Sequence, residues 1–99
     1  MSPRLRVHYT RAAENDFDEI AVHTRTHWGE QQCAKYLDLL EQTCERIIPH
    51  NLKHMRPVAR RPDLLRWRCE RHVVYLRRVS DGVEIVRILH ARMLPENHL

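Results

Sequence analysis

The sequence predicts a single α+β domain with the element order β-α-α-β-β-β, in which an antiparallel helical hairpin lies over a sheet of about four strands. Apolar residues between positions 10 and 49 recur every three or four residues, which is typical of amphipathic helices. Before and after that segment they alternate with polar residues, which is typical of strands. The length of 99 residues, with 42% apolar and 30% charged residues, suits one domain over 1–99.

The first predicted elements are a strand from Arg4 to Tyr9 and a helix that begins after Thr10. The Thr10 hydroxyl is a suitable N-cap, and the acidic residues of the early turns suit the positive end of the helix dipole. Gly29 is expected to end this helix because glycine is favoured just past a helix C-terminus. The apolar stripe predicted to face the sheet consists of Ala13, Phe17, Ile20, Ala21 and Trp28.

A second helix is predicted to follow Gly29 after a very short break and to end at Pro49. Because the connection is so short, the second helix should fold back along the first as an antiparallel hairpin. Its predicted buried stripe is Cys33, Leu37, Leu40, Cys44 and Ile47, with Tyr36 and Ile48 beside it. The three cysteines, an odd number without a CxxC pair, are expected to be core thiols.

The remaining chain predicts an extended basic loop from His50 to Asp63, followed by a three-stranded antiparallel meander. Its first strand starts at Leu64 and leads through a tight turn near Glu70 into the second. The second and third strands are His72 to Val79 and Val83 to His90, joined by the hairpin signal Ser80, Asp81 and Gly82.

The third strand of the meander is apolar on both faces, which predicts an interior place in the sheet. Val83, Ile85 and Leu89 are expected on one face, and Val86 and Ile88 on the other. In the first strand, Trp67 alternates in phase with core positions, so Arg66 and Arg68 should face outward. The tail from Ala91 to Leu99, interrupted by Pro95, is expected to project from the domain.

Positive charge is concentrated in the second half of the chain, whose net charge is +4. Residues 53–78 hold nine Lys or Arg against two acids, whereas residues 10–50 hold four against eight. A surface of this kind attracts a polyanion or an acidic protein segment. The chain lacks glycine-rich nucleotide motifs, and His23 and His27 alone are too few for a metal site, so neither a cofactor nor a metal is expected.

Targeting signals are also missing from the sequence. No apolar run approaches the roughly 20 residues of a membrane-spanning helix. The N-terminus does not have the apolar stretch and small-residue cleavage site of a signal peptide. We therefore expect a cytoplasmic protein without a membrane partner.

Three segments, in this order and spacing, resemble the ParE branch of the RelE/ParE superfamily of bacterial toxins. They read YTRAAENDFDEI, HWGEQQCAKYLDLLEQ and RHVVYLRRVSDGVEIVRILHARMLPENHL. The resemblance implies a toxin of a type II toxin-antitoxin system that poisons DNA gyrase without catalysis of its own. It also implies neutralisation by the acidic C-terminal segment of a ParD-like antitoxin, in a heterotetramer or larger hetero-oligomer, with no sequence-specific DNA binding.

The alternative is a RelE-like enzyme that cuts ribosome-bound messenger RNA, for which relatives use basic residues and commonly a tyrosine near the C-terminus. Such cleavage needs a base, an acid and cations around the phosphorane. His72 and His90 are conceivable acids or bases, but a structural role at the strand ends is favoured. The tail carries no Tyr and only Arg92 as a cation, so no catalytic residue is assigned.

The predicted contact residues form two groups. The antitoxin is expected to lay an amphipathic helix or an added strand over the apolar groove beside the helical hairpin and to place its acids on exposed arginines. This group consists of Arg56, Arg60, Arg61, Arg66, Arg68, Trp28 and Tyr36. The resemblance implies that gyrase contacts lie near the end of the last strand, at Arg87, His90, Arg92 and Met93.

Overall fold

The structure, a computed structural model, describes residues 5–99 and confirms the α+β class. Arg4, where the first strand was expected to start, lies outside the described residues. The strands are β1 (Arg6–Tyr9), β2 (Pro57–Val58), β3 (Arg61–Cys69), β4 (His72–Val79) and β5 (Gly82–His90). The helical segment α1 (Arg11–Gln42) continues into a π-helical turn (Thr43–Ile47), and short 3-10 turns follow at Ile48–His50, Leu52–His54 and Pro95–Asn97.

α1 is a pair of helices joined at Gly29, where the backbone leaves helical geometry with φ 85° and ψ 170°. The Sγ atom of Cys33 lies 3.3 Å from the carbonyl oxygen of Ala21. Twelve residues of continuous helix would separate these positions by about 18 Å, so the chain must double back at Gly29. The predicted antiparallel hairpin is confirmed, with a first arm over 11–28 and a second arm over 30–42.

Thr10 fixes the start of the first arm on the sheet. Its hydroxyl oxygen accepts a hydrogen bond of 3.0 Å from the Ala13 backbone N–H, as the N-cap prediction requires. The same hydroxyl donates to the Val86 carbonyl oxygen at 2.7 Å, so the cap also ties the helix to β5.

The sheet has five strands among the described residues, in the order β1-β5-β4-β3-β2, rather than the four expected. β1 runs parallel to β5, and the other neighbours are antiparallel. The extra strand comes from the segment that was predicted to be an extended loop. That segment begins with two 3-10 turns. A turn then follows in which Arg60 has φ 68°, and it brings Val58 next to Arg61 as paired strand residues. β3 therefore starts earlier than predicted.

A β-bulge in β5 overturns the predicted division of its two faces. Tyr75 pairs with Arg87 and Leu76 with Ile85, which leaves Val86 as an extra residue. The extra residue shifts the alternation, so Ile88 rather than Leu89 shares the helix-facing side with Ile85. The interior position of β5, between β1 and β4, is as predicted.

Two other errors in the predicted stripes are also shifts of phase. Trp28 follows Ala13 by fifteen residues, which places it roughly 60° further around the helix axis and away from the buried stripe. Trp28 is therefore 57% exposed, and Thr24 is buried instead. At the end of the hairpin, the π-helical turn accommodates one more residue per turn than an α-helix. Ile48 is therefore fully buried, whereas Ile47 is 40% exposed.

The core lies mainly between the helical hairpin and one face of the sheet, and a smaller cluster lies on the opposite face. The main cluster includes Ala13, Ile20, Tyr36, Leu40, Cys44, Ile48, Cys69, Val74, Leu76, Val83, Ile85 and Ile88. The smaller cluster consists of Val58, Leu64, Val73, Tyr75 and Leu89. Ala91 and Leu99 of the tail pack on this second cluster, so the tail covers the sheet instead of projecting as expected.

Replacing Gly29 with Ala should lower the free energy of unfolding by about 1–3 kcal/mol, because its backbone conformation is one that only glycine adopts readily. A β-carbon here would meet no atom within 4 Å, so the loss measures backbone strain alone. Urea unfolding gives the value. Gln31→Ala, an exposed helical site two residues away, serves as the control and should change the stability by less than about 0.5 kcal/mol. Equal stability of Gly29→Ala and wild type would contradict the assignment of strain.

Candidate functional site

The structure distributes the predicted contact residues over three surfaces. Arg87, His90 and Met93 line a cavity of about 390 Å³ at the end of β5, which we call the tail cavity. Trp28 and Tyr36 line a second cavity of about 570 Å³ beside the hairpin bend, the aromatic cavity. We call Arg60, Arg61, Arg66 and Arg68 the arginine band. Arg60, Arg61 and Arg66 line one cavity, and Arg66 and Arg68 lie on the sheet face away from the helices.

In the tail cavity, Arg87 is held in place from two sides. Its Nε and Nη2 atoms donate to the two carboxylate oxygens of Asp16 at 2.7 and 2.9 Å. Its Nη1 atom donates to the His98 carbonyl oxygen at 3.0 Å, which fastens the tail. Hydrogen bonding to Asp16 raises the pKa of Arg87, so the guanidinium stays charged.

Asp16 was interpreted from sequence only as an acid in an early helical turn, and its role was missed. It is 7% exposed, and one of its oxygens also accepts a hydrogen bond of 2.9 Å from the Ile88 backbone N–H. A signal was present, because Asp16 lies three residues after Ala13 and four before Ile20, on the buried stripe. A carboxylate at such a position needs a cation, and the sequence does not say which one.

His72 and His90 face each other across β4 and β5, with ring centroids 5.4 Å apart. The Nδ1 atom of His72 lies 2.7 Å from the Tyr36 hydroxyl. Burial, reinforced by the neighbouring His90 and Arg71, lowers the pKa of His72 to about 4, so the ring is neutral near pH 7. His90 accepts a hydrogen bond of 3.1 Å from the Arg92 backbone N–H, the kind of backbone contact expected at this strand end.

The aromatic cavity is organised by Arg71, a residue that the sequence analysis did not select. Its guanidinium carbon lies 5.2 Å from the Trp28 ring centroid and 4.9 Å from that of Tyr36, within cation–π range of both. Trp28 and Leu39 are exposed there, whereas Tyr36 is buried and its hydroxyl accepts a hydrogen bond from the Arg71 backbone N–H. The cavity therefore offers an apolar surface next to a fixed cation. Its other lining residues are Gln32, Lys35 and Glu70.

The arginine band confirms that Arg66 and Arg68 face outward. They pair in register with Tyr75 and Val73 of the second cluster, on the face that the helices do not cover. Arg60, Arg61 and Arg66 line a cavity of about 480 Å³ together with Pro95, Glu96 and Leu99 of the tail. Trp67, in the opposite phase, packs partly buried against the main core as predicted. Arg56 is exposed beside β2.

The residues predicted to contact an antitoxin are thus divided between the aromatic cavity, on the helix side of the sheet, and the arginine band, whose Arg66 and Arg68 lie on the opposite face. They approach each other at the turn between β3 and β4. There Arg68 donates to the Glu70 carbonyl oxygen at 2.8 Å, and Glu70 itself lines the aromatic cavity. An extended segment that crosses this turn would reach both surfaces.

Within residues 5–99, no group of three His, Cys, Asp or Glu side chains is placed to hold a metal ion. None of the helices that the structure describes has the length and apolarity to cross a membrane.

Asp16→Asn should lower the free energy of unfolding by about 2–3 kcal/mol, because it leaves the Arg87 guanidinium without its charged partner. Asparagine keeps the size and can still accept from the Ile88 N–H, so the loss reports the ion pair. Partial exposure of the Arg87 side chain, 24%, keeps the value below that of a fully buried pair. Asp18→Asn, on the exposed side of the same turn, is the control for urea unfolding and should cost less than about 0.5 kcal/mol. If Asp16→Asn and Asp18→Asn had the same free energy of unfolding, the role given to Asp16 would be refuted.

Comparison with known proteins places this architecture in a family. The family model described as the ParE toxin of the type II toxin-antitoxin system parDE matches residues 7–95. The protein named Toxin ParE1 of Caulobacter vibrioides is 34% identical over 90 residues, which cover 91% of this chain and 93% of that protein. Toxin ParE of Escherichia coli is 37% identical over 87 residues, 85% of this chain and 82% of the relative.

A solved structure supports the fold independently. The chain is similar, with a TM-score of 0.75, to one described as the chromosomal ParDE TA system from P. aeruginosa. That match covers 87% of this chain and 95% of the other at 17% identity, a level that speaks for the fold alone. The family model extends from β1 into the tail and the two relatives cover most of the chain, so we conclude that this chain belongs to the ParE toxin family of type II toxin-antitoxin systems.

Proposed function

We propose that this ParE toxin stops bacterial growth in the cytoplasm by binding DNA gyrase, without catalysing a reaction itself. We also propose that a ParD-like antitoxin neutralises it by direct contact, in a heterotetramer or larger hetero-oligomer. The family supports the pairing of toxin and antitoxin. The gyrase target, the stoichiometry and the contact residues are the proposed part.

The observation that carries the non-catalytic proposal is the engagement of Arg87, His72 and His90 in structural contacts. RNA cleavage would need a cation free to contact the phosphorane, together with a titratable acid and base. The Arg87 guanidinium is held by Asp16 and the tail, and His72 is buried, neutral and hydrogen-bonded to Tyr36. These groups support the fold rather than present themselves to a substrate.

The proposed gyrase contact is the surface around the tail cavity. His90 and Met93 line the cavity, Met93 is exposed, and the neighbouring Arg92 is exposed as well. Arg87 acts from below as a positioning residue, because it holds the tail through the His98 carbonyl. The exposed pair thus has a defined orientation relative to β5, as a docking surface needs.

Arg92→Glu combined with Met93→Ala should raise the toxin concentration that half-inhibits gyrase supercoiling by about tenfold or more, because a charge contact and an apolar contact are lost together. Asn97→Ala, an exposed change in the same tail, is the matched control and should leave inhibition within about twofold. If the double variant inhibited gyrase as strongly as the unaltered toxin, gyrase would have to bind elsewhere on the toxin.

Expression in bacteria separates this proposal from the RelE-like alternative. A gyrase poison should induce the DNA-damage response while messenger RNAs stay intact. Cleaved messages without DNA damage would establish the enzyme instead.

For the antitoxin, we propose a segment that anchors an apolar residue in the aromatic cavity and passes over the β3–β4 turn. Trp28 and Leu39 supply the exposed apolar surface, and Arg71 lies beside them. Acidic residues further along the segment would meet the arginine band and Arg56. This path contacts both the aromatic cavity and the arginine band. Because these two surfaces are separated by the sheet, the segment has to pass over its edge at the β3–β4 turn.

Arg60→Glu with Arg61→Glu should weaken binding of the cognate antitoxin by about 10- to 100-fold and should flatten the dependence of its affinity on salt. Arg11→Glu with Arg46→Glu makes the same change of charge on exposed helical positions and is the control. Isothermal titration at several salt concentrations measures both variants. If the two pairs weaken binding equally, only net charge matters and the proposed path is wrong.

A further inference from the structure

We infer that the arginine band binds the phosphate backbone of double-stranded DNA without regard to base sequence. This goes beyond a contact with gyrase protein, because it gives the toxin a second partner in a gyrase–DNA complex. The DNA binding itself is independent of the proposed function; only its use on gyrase-bound DNA rests on that proposal.

The first argument is the available charge of the band. Among residues 5–99, the ion pairs involve His8, Arg25, Arg61, Arg77 and Arg87, and none involves Arg60, Arg66 or Arg68. Arg61 shares its charge with Asp63, whose carboxylate is 3.1 Å away. Glu96 is the one carboxylate that lines the cavity of the band. The band therefore retains a clear excess of cationic groups that can neutralise phosphates.

The second argument is geometry. Arg66 and Arg68 are alternate residues of one strand, so they point to the same side about 7 Å apart. Arg60 and Arg61 line the same cavity as Arg66, so the positive surface continues beyond this pair toward the start of β3. Duplex DNA carries one phosphate charge per roughly 1.7 Å of its axis, so several phosphates fall within reach of the band at once. Because β3 is paired on both sides in the sheet, the backbone positions of Arg66 and Arg68 are fixed relative to each other.

The third argument is that β2, β3 and the turn between them carry no large exposed hydrophobic residue. The large exposed hydrophobic residues within 5–99 are Leu5, Val22, Trp28, Leu39, Ile47, Met93 and Leu94, and none belongs to β2, β3 or their turn. A protein segment usually needs a buried apolar anchor, as the aromatic cavity offers. A surface rich in guanidinium groups and without a large exposed hydrophobic side chain suits a ligand that is anionic along its whole length.

The band also borders the proposed gyrase contact. Pro95, Glu96 and Leu99 of the tail line the same cavity as Arg60, Arg61 and Arg66. A toxin bound to gyrase through Arg92 and Met93 would thus have the band on the adjacent surface. An antitoxin that covers the band would exclude DNA from it.

The test measures the affinity of the whole protein for a fluorescein-labelled 20-base-pair duplex by anisotropy, between about 50 and 200 mM salt. The unaltered protein should bind in the micromolar range at the lowest salt. Arg66→Gln with Arg68→Gln should weaken binding about tenfold or more and should reduce the slope of log K against log salt by about 2. The matched control is Arg11→Gln with Arg46→Gln, which lowers the net charge equally, from +4 to +2.

The control pair should leave both affinity and slope nearly unchanged. Arg66→Lys with Arg68→Lys, which keeps the charge, should retain the slope, because the slope depends on the number of phosphates neutralised. Absence of binding by the unaltered protein, or equal weakening by the two Gln pairs, would overturn the inference. A 20-residue polyglutamate that binds as tightly as the duplex would also overturn it, in favour of an acidic protein ligand.

Gyrase supercoiling inhibition by the same variants distinguishes this inference from the proposed function. Loss of inhibition in Arg92→Glu with Met93→Ala, together with no duplex binding by the unaltered protein, would sink the DNA site and leave gyrase as the target. Duplex binding that depends on Arg66 and Arg68, without any gyrase inhibition, would keep the DNA site and reject the target.

Discussion

The contact between Asp16 and Arg87 is the constraint on which the arrangement of the molecule depends. One carboxylate joins the first arm of the hairpin to β5, both through the guanidinium and through the Ile88 backbone N–H. Because the same guanidinium also holds the His98 carbonyl, helix, strand and tail share a single anchor. A buried ion pair of this kind adds less stability than its Coulomb energy suggests, since both charges lose water. Its effect is to fix positions.

Much of the fold could be predicted from the sequence. Apolar residues recur with helical spacing along most of the hairpin and with strand spacing along β3, and Ser80, Asp81 and Gly82 mark the turn between β4 and β5. The errors arose where one residue shifts the phase. The π-helical turn places Ile48 rather than Ile47 in the core, and the bulge at Val86 exchanges the faces of β5 beyond it. Neither insertion has a signal in local composition, because each is stabilised by contacts that form only in the folded state.

In the candidate site, too, some features could be predicted from the sequence and others could not. The alternation of β3 was enough to place Arg66 and Arg68 on the outer face. It could not show that Arg87 is bound to an aspartate 71 residues earlier, or that Arg71 lies against two aromatic rings from the hairpin. Such pairs join distant parts of the chain, and spacing along a single element carries no information about them. The outward orientation of Arg66 and Arg68 could therefore be predicted from local alternation, whereas the partners of Arg71 and Arg87 could not.

The parallel pairing of β1 with β5 sets an order of events during synthesis. Arg6 lies opposite Gly82, so the strand that leaves the ribosome first must wait for one of the last. Closing so long a loop is slow, whereas β3, β4 and β5 can associate through short turns. Until the amino-terminal strand docks, the edge of β5 is unpaired and open to association with other chains. After synthesis there is thus an interval in which the chain is complete but β1 has not yet paired with β5.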